Sequence, residues 1–273
     1  MTRPGSIARD LADRAELPIV NFTGGEHTRG EFAFQYQVGS LELEPAVLTE
    51  RLVERGLGTA AVVHDHSPVG RRYATAFEEA RAGLGIEVTG TAAVSPLRED
   101  LGDVVARLRS GSPDALVYLG LGVTSRPLAV ALAEAAWTVP VVANSALMFG
   151  YARPEWRAGW RGWEYLDSVA DDNDERRALR DRAPEVAAGP LGCAAYDAGR
   201  LLGEALVRTE HLTRAGLEEG LERVKRLLAT SGYPGTTMGF GHYDHGALEG
   251  RYLVLREWRD GRSVQVGSAA GGA

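Results

Sequence analysis

The sequence predicts an α/β protein with parallel sheets, arranged in two lobes. Three observations lead there. Short, continuous apolar runs alternate with amphipathic stretches along most of the chain, which is the mark of strands buried on both faces between helices. The 273 residues suffice for two lobes, at about 100–150 residues each. One lobe reads as a continuous α/β unit, whereas the other is assembled from sequence-distant pieces, which implies several crossing segments and a hinge with a cleft.

The strands come first. Leu17–Asn21 is an apolar run after the mixed segment Ile7–Glu16. Thr59–His64 follows the amphipathic stretch Pro45–Arg55, with Gly56 and Gly58 punctuating the join. Ile86–Gly90, Pro113–Leu119 and Val139–Ala143 are the next strands. Between them, Gly70–Leu84 carries Tyr73, Phe77 and Ala80 at helical spacing, Leu101–Leu108 places three apolar residues on one face, and Pro127–Trp137 reads as a helix.

After Met148 the pattern changes. Residues 149–165 read as an irregular connection rich in tryptophan and glycine. Helices are expected over Asp171–Ala183, Leu191–Arg208 and Arg214–Ala229. Short β-like runs follow at Thr236–His242, Arg251–Trp258 and Ser263–Val266, the last two joined by the hairpin signal Arg259-Asp260-Gly261. The resulting division gives 38–168 to one complete lobe and 1–37 with 169–250 to the other. Residues 251–266 form a terminal β-ribbon, and 267–273 a disordered Gly/Ala-rich tail.

Composition narrows the function. A formal charge of −7 and pI near 5.5 disfavour nucleic acid, because phosphate backbones repel such a surface without a basic patch. The densest basic stretch, Arg176 to Arg182, is interleaved with acids. The single cysteine, Cys193, excludes an internal disulfide and reads as a small core residue. No apolar run approaches the ~20 residues of a membrane span, so no membrane insertion is expected. The first residues lack the apolar core of a signal peptide. The chain as given is therefore expected in the cytoplasm, and outside it only if a signal segment lies upstream.

Several chemistries fail on their motifs. Gly120-Leu121-Gly122-Val123-Thr124-Ser125 follows a strand and opens a helix. Ser125 replaces the third glycine of a dinucleotide loop, so a β–α loop lining a cleft is the better reading. His64-Asp65-His66 lacks further ligands for a metal, and Asp65 is expected to cap the helix that follows. No serine completes G-x-S-x-G, and no carboxylate pair stands out as an acid–base couple. Enzymatic activity, a cofactor and a resident metal are not expected. Trp156, Trp160 and Trp163 fit one helical face and read as packing as readily as ligand lining.

Several ordered landmarks carry a family resemblance. They are Glu16–Phe22 (ELPIVNF), Ala60–Asp65 followed by Gly70, and Ala106–Gly120 (ARLRSGSPDALVYLG). Tyr196-Asp197-Ala198 in a late helix and Thr236–Trp258 (TTMGFGHYDHGALEGRYLVLREW) complete the set. In order and spacing the chain resembles the type I periplasmic solute-binding family, around the leucine/isoleucine/valine-binding proteins. That resemblance implies a two-lobed type I fold from which the first βαβα unit of the N-terminal lobe is missing, leaving an unpaired sheet edge and exposed apolar surface.

It also implies function: the substrate-binding component of an ABC transporter, holding an amino acid, amide or carboxylate in an interlobe cleft. The implied partners are the solute and the transporter's permease. A cytoplasmic amide or amino-acid sensor on the same fold, a non-binding fragment and, further off, an α/β enzyme are the alternatives.

The relatives grip a ligand carboxylate with a main-chain amide and a hydroxyl after the strand matching Leu17–Asn21. Here Thr23 and the Gly24 amide stand there, and Ser6 is expected in a loop before a helix starting at Ile7. Ser67, Gly122 and Ser145 complete the expected contacts. The relatives' aromatic residue before the glycine is Val69 here. Their acid after the strand matching Val139–Ala143 is replaced by Asn144-Ser145, which argues against leucine itself.

Overall fold

The computed structural model describes residues 2–267; the expected tail from residue 268 onward lies outside the described residues. The chain divides into two compact units. One takes the chain up to Ser40 together with Ser168–Val254, and the other takes Leu41–Asp167 with Leu255–Gly267.

The first unit opens with α1 (Thr2–Ala15), followed by β1 (Ile19–Asn21) and β2 (Ala33–Gln35), which pair in parallel. Ser6 therefore lies inside a helix and not in a loop before one. The helix starts at Thr2, placing Pro4 in its first turn, where a missing N–H costs nothing. Gly5 is packed so closely that a Cβ would meet Thr28 Cγ2 at 2.7 Å. Among the described residues β1 pairs only with β2, and Ile7, Leu11, Leu17 and Phe22 nearby are all more than 40% exposed.

The second unit is a seven-stranded sheet. Its elements are α2 (Glu44–Glu54), β3 (Thr59–Asp65), α3 (Pro68–Ala82), β4 (Glu87–Val94), α4 (Gly102–Arg109), β5 (Ala115–Leu119), α5 (Ser125–Glu134), β6 (Val141–Ala143) and β7 (Glu164–Asp167). The missed strand β7 is short and begins with the charged Glu164. Neighbouring strands from β4 through β3, β5 and β6 to β7 run parallel.

Alternation along the strands divides the side chains between two cores. Ala61, Val63, Leu116, Tyr118, Val141 and Ala143 pack with Val105 and Leu108 of α4 and with Leu128 and Leu132 of α5. Ala60, Val62, Val117 and Val142 pack instead with Leu48, Leu52, Tyr73 and Phe77 of α2 and α3. Burial on both faces is why these strands read as unbroken apolar runs.

Residues 145–160 form two 3-10 segments, Ser145–Tyr151 and Pro154–Trp160. Trp160 and Trp163 are buried in the first core with Tyr165 and Trp258, so the tryptophans pack. Tyr165 stacks on Trp258 at 5.5 Å between centroids and 6° between planes.

The first unit resumes with α6 (Asp174–Arg182), α7 (Pro190–Arg208) and α8 (Arg214–Glu222). Helix α8 stops well before the expected Ala229. Arg226 adopts φ +52° and turns the chain into β8 (Leu227–Leu228). β8 joins β9 (Thr237–Met238) and β10 (Leu248–Glu249) in a small antiparallel sheet. Cys193 is buried in α7, as expected.

The larger sheet ends with β11 (Val254–Arg259) and β12 (Arg262–Gln265). Arg259 pairs with Arg262 across the two-residue turn Asp260-Gly261. Both turn residues have positive φ, +50° and +73°, the twist that a tight hairpin requires.

Trp258 closes the aromatic cluster at 1% exposure. Replacing it with Ala should cost about 3–5 kcal/mol in urea unfolding; a loss below about 1 kcal/mol would mean the cluster does not hold this part of the sheet.

Candidate strand-end site

The sheet order fixes where the candidate site lies. From β3 the chain goes to β4 on one side, then to β5 on the other. The C-terminal ends of β3 and β5 thus flank a topological switch point, where open α/β sheets leave a crevice between diverging loops. Ser67 follows β3, Gly122 follows β5, and Ser145 follows the neighbouring β6. The fold brings these three expected residues to one edge of one sheet.

Asp65, the last residue of β3, organises that edge. It is 1% exposed and does not cap α3. Ser67 does so, its hydroxyl oxygen accepting from the Gly70 amide at 3.0 Å. Asp65 points across the switch point instead. Its Oδ1 accepts from Thr124 Oγ1 at 2.6 Å, with the Tyr118 hydroxyl at 3.3 Å, and its Oδ2 accepts from the Leu121 amide. Buried carboxylates need such donors.

Two glycines make the approach physically feasible. A Cβ on Gly120 would meet Asp65 Oδ2 at 2.3 Å, and one on Gly70 would meet the Asp65 carbonyl oxygen at 2.1 Å. Gly122 has φ +88°, a conformation other residues adopt only with strain. His64 is buried against its own strand end while His66 is exposed. Burial drives the Tyr118 hydroxyl far above its usual range, and the adjacent Asp65 carboxylate adds to the shift. It stays protonated and serves as a donor.

Asn144 and Ser145 extend the edge. The Asn144 amide spans the β5 loop, donating to the Gly120 carbonyl at 2.9 Å and accepting from the Gly120 N–H at 3.2 Å. Ser145 donates twice to Glu44, through its N–H at 2.7 Å and its hydroxyl at 2.9 Å. Glu44, at the start of α2, is fully buried and also faces Tyr73, whose hydroxyl is pushed up first by burial and then by the Glu44 charge. This acid comes from a position 101 residues upstream, and with both oxygens engaged by Ser145 and no exposure it anchors the turn after β6. Nothing in the local pattern Leu43-Glu44-Pro45 marks it, because a glutamate in a first helical turn is ordinarily a solvated residue.

The other unit holds the remaining expected residues. Thr23 Oγ1 donates to Asn21 Oδ1 at 2.7 Å and lies 2.6 Å from Thr28 Oγ1. The Gly24 backbone lies against Gly39, 3.4 Å from where a Cβ would sit. Ser6 is in the second turn of α1. In the same unit Asp197 is fully buried and accepts from the Tyr36 hydroxyl at 2.8 Å and the Thr230 amide at 2.7 Å, with Arg200 at 3.2 Å. Tyr196, its neighbour, is only half-buried.

A shallow groove of about 610 Å3 runs along α3, lined by Leu41, Glu42, Pro68, Arg71 and Arg72 among others. It contains none of the six expected contacts.

Two outcomes follow. Asp65→Ala strands donors from Tyr118, Leu121 and Thr124 and should cost about 2–4 kcal/mol by urea unfolding; a change within about 0.5 kcal/mol would remove Asp65 from its organising role. The second concerns pH. Burial raises the Asp197 carboxyl above its usual range despite its donors. The folded state therefore holds that proton after the unfolded chain has lost it. The stability Asp197 contributes is complete below the ordinary carboxylate range and declines as pH rises through the raised value. Asp197→Asn should flatten the fall in stability above about pH 4, and parallel pH profiles for the two proteins would contradict this.

Residues 5–262 match the family model described as Periplasmic binding protein. Among solved structures, an ABC transporter substrate-binding protein from Desulfitobacterium hafniense in complex with Leu is 20% identical, with TM-score 0.77, over 96% of this chain and 77% of that one. A periplasmic binding protein type 1 from Bordetella pertussis Tohama I is 16% identical with TM-score 0.79, over 96% and 78%. An extracellular ligand-binding receptor from Rhodopseudomonas palustris HaA2 is 15% identical with TM-score 0.75, over 97% and 79%. No curated protein sequence matches the chain. These neighbours are solute-binding proteins and not enzymes. Family match and fold agree, and the chain belongs to the periplasmic binding protein family.

Proposed function

We propose that the chain is the solute-binding component of an ABC transporter and takes a small polar solute, an amino acid, amide or carboxylate, at the C-terminal ends of β3, β5 and β6. The observation that carries this reading is the Asp65 network, which ties the end of β3 to the loop after β5 and to the start of α5 at the switch point of the sheet. Loops fixed from beneath by a buried carboxylate present their outer backbone groups in one arrangement, which lowers the ordering cost of binding.

Ser67 and Gly122 supply a hydroxyl and a backbone turn at the switch point itself. Ser145 offers its hydroxyl at the third strand end, backed by Glu44. The Leu-bound relative supports keeping amino acids within that class. Ser6, Thr23 and Gly24 remain assigned as contacts, with Thr23 tested separately.

The partner in this reading is the transporter's permease, and the family's periplasmic setting supports a place outside the cytoplasm. Among the described residues no helix is long and apolar enough to cross a membrane.

The test is a thermal melt with a panel of amino acids, amides and short carboxylates. One class should raise the transition, since binding to the folded state alone does so. Ser145→Ala and Thr23→Ala should each weaken that solute about five-fold or more, the loss of one hydrogen bond. A panel without any shift, or unchanged affinity in both variants, would overturn the assignment.

A further inference from the structure

A separate cluster lies on α8. Glu218 and Glu222 are one turn apart and share a face. The loop between β9 and β10 brings His242 and His245 to them. His245 Nε2 is 3.1 Å from Glu222 Oε1, and His242 Nδ1 is 2.9 Å from Glu222 Oε2. One ligating atom from each of Glu218, Glu222 and His245 falls within 4.8 Å of the others.

The His245 ring is held before any ion arrives. It is 7% exposed and stacks on Phe34 at 4.1 Å with 19° between planes. Its Nδ1 lies 2.6 Å from the Gly30 carbonyl oxygen. That oxygen only accepts, so Nδ1 carries a proton. In the neutral ring Nε2 then bears a lone pair and faces a carboxylate oxygen. Two acceptors at this distance repel unless a proton or a cation joins them. An imidazole whose Nδ1–H is tied to a backbone carbonyl is the arrangement metal-binding histidines adopt.

We propose that Glu218, Glu222 and His245 form a Zn2+ site that fastens α8 to the loop 241–246. Two carboxylates and one imidazole suit this ion, and three protein ligands leave a position for water. His242 steadies the second oxygen of Glu222. Glu31 and Glu219 add negative charge around the cluster, and Lys225 the opposing positive charge. These residues are distinct from the solute contacts, so failure of either assignment leaves the other standing.

The rival is a plain ion pair between protonated His245 and Glu222. Glu218→Gln separates the two, since it removes one metal ligand and leaves both histidine–Glu222 contacts in place. Chelator-treated protein at neutral pH is titrated with Zn2+ and followed by thermal melt, and with Co2+ followed by visible absorption. The parent should bind one equivalent, melt higher with Zn2+ and give the absorption of low-coordinate Co2+. Glu218→Gln and His245→Gln should weaken binding by about tenfold or more, while the double variant His64→Ala, His66→Ala binds as the parent does. Absence of a Zn2+ shift in the parent, or equal shifts in the parent and Glu218→Gln, would overturn the site.

Discussion

The Asp65 carboxylate is the constraint on which the strand-end site depends. It sits at the last residue of β3 and takes donors from β5, from the loop after β5 and from the start of α5. Those partners are a tyrosine, a backbone amide and a threonine, so the burial of one charge fixes a strand, a loop and a helix start together. Gly70 and Gly120 are glycines because Asp65 occupies the space a Cβ would need. A substitution at any of these positions therefore disturbs a shared network, and effects there should not add independently.

Much of the fold was legible in the sequence. Buried parallel strands announce themselves as apolar runs, and every helix bordering β3, β5 and β6 was visible from its periodicity. The hairpin at Asp260-Gly261 was visible because its turn needs two positive φ values. What escaped notice has physical reasons. β2 and β7 are short and interrupted by Gln35 in one and by Glu164 and Asp167 in the other, so no continuous apolar run marks them. The expected end of α8 lies too far along because Val224, Leu227 and Leu228 continue the apolar pattern beyond Glu222, where the helix stops.

The site was less legible than the fold. Ser67, Gly122 and Ser145 were expected as contacts, and the sheet gathers them at one edge. The roles of their neighbours needed coordinates. Asp65 looked like a helix cap, yet Ser67 two residues on has the better geometry for that bond. Glu44 supplies the acid beside Ser145 across 101 residues of chain, a pairing no local pattern reveals. Likewise Asp197 was a landmark of uncertain part, and its burial beneath Tyr36 and Thr230 makes it a fixed point of its own unit.

The central claim is that a small solute meets the chain at the ends of β3, β5 and β6. Backbone amide NMR of the labelled protein during titration with the solute that raises its melt tests this most directly. The account predicts that the largest shift changes fall on Ser67, Gly122 and Ser145 and their immediate neighbours. Changes confined to the α3 groove around Arg71 and Arg72, with the strand-end amides unmoved, would contradict it.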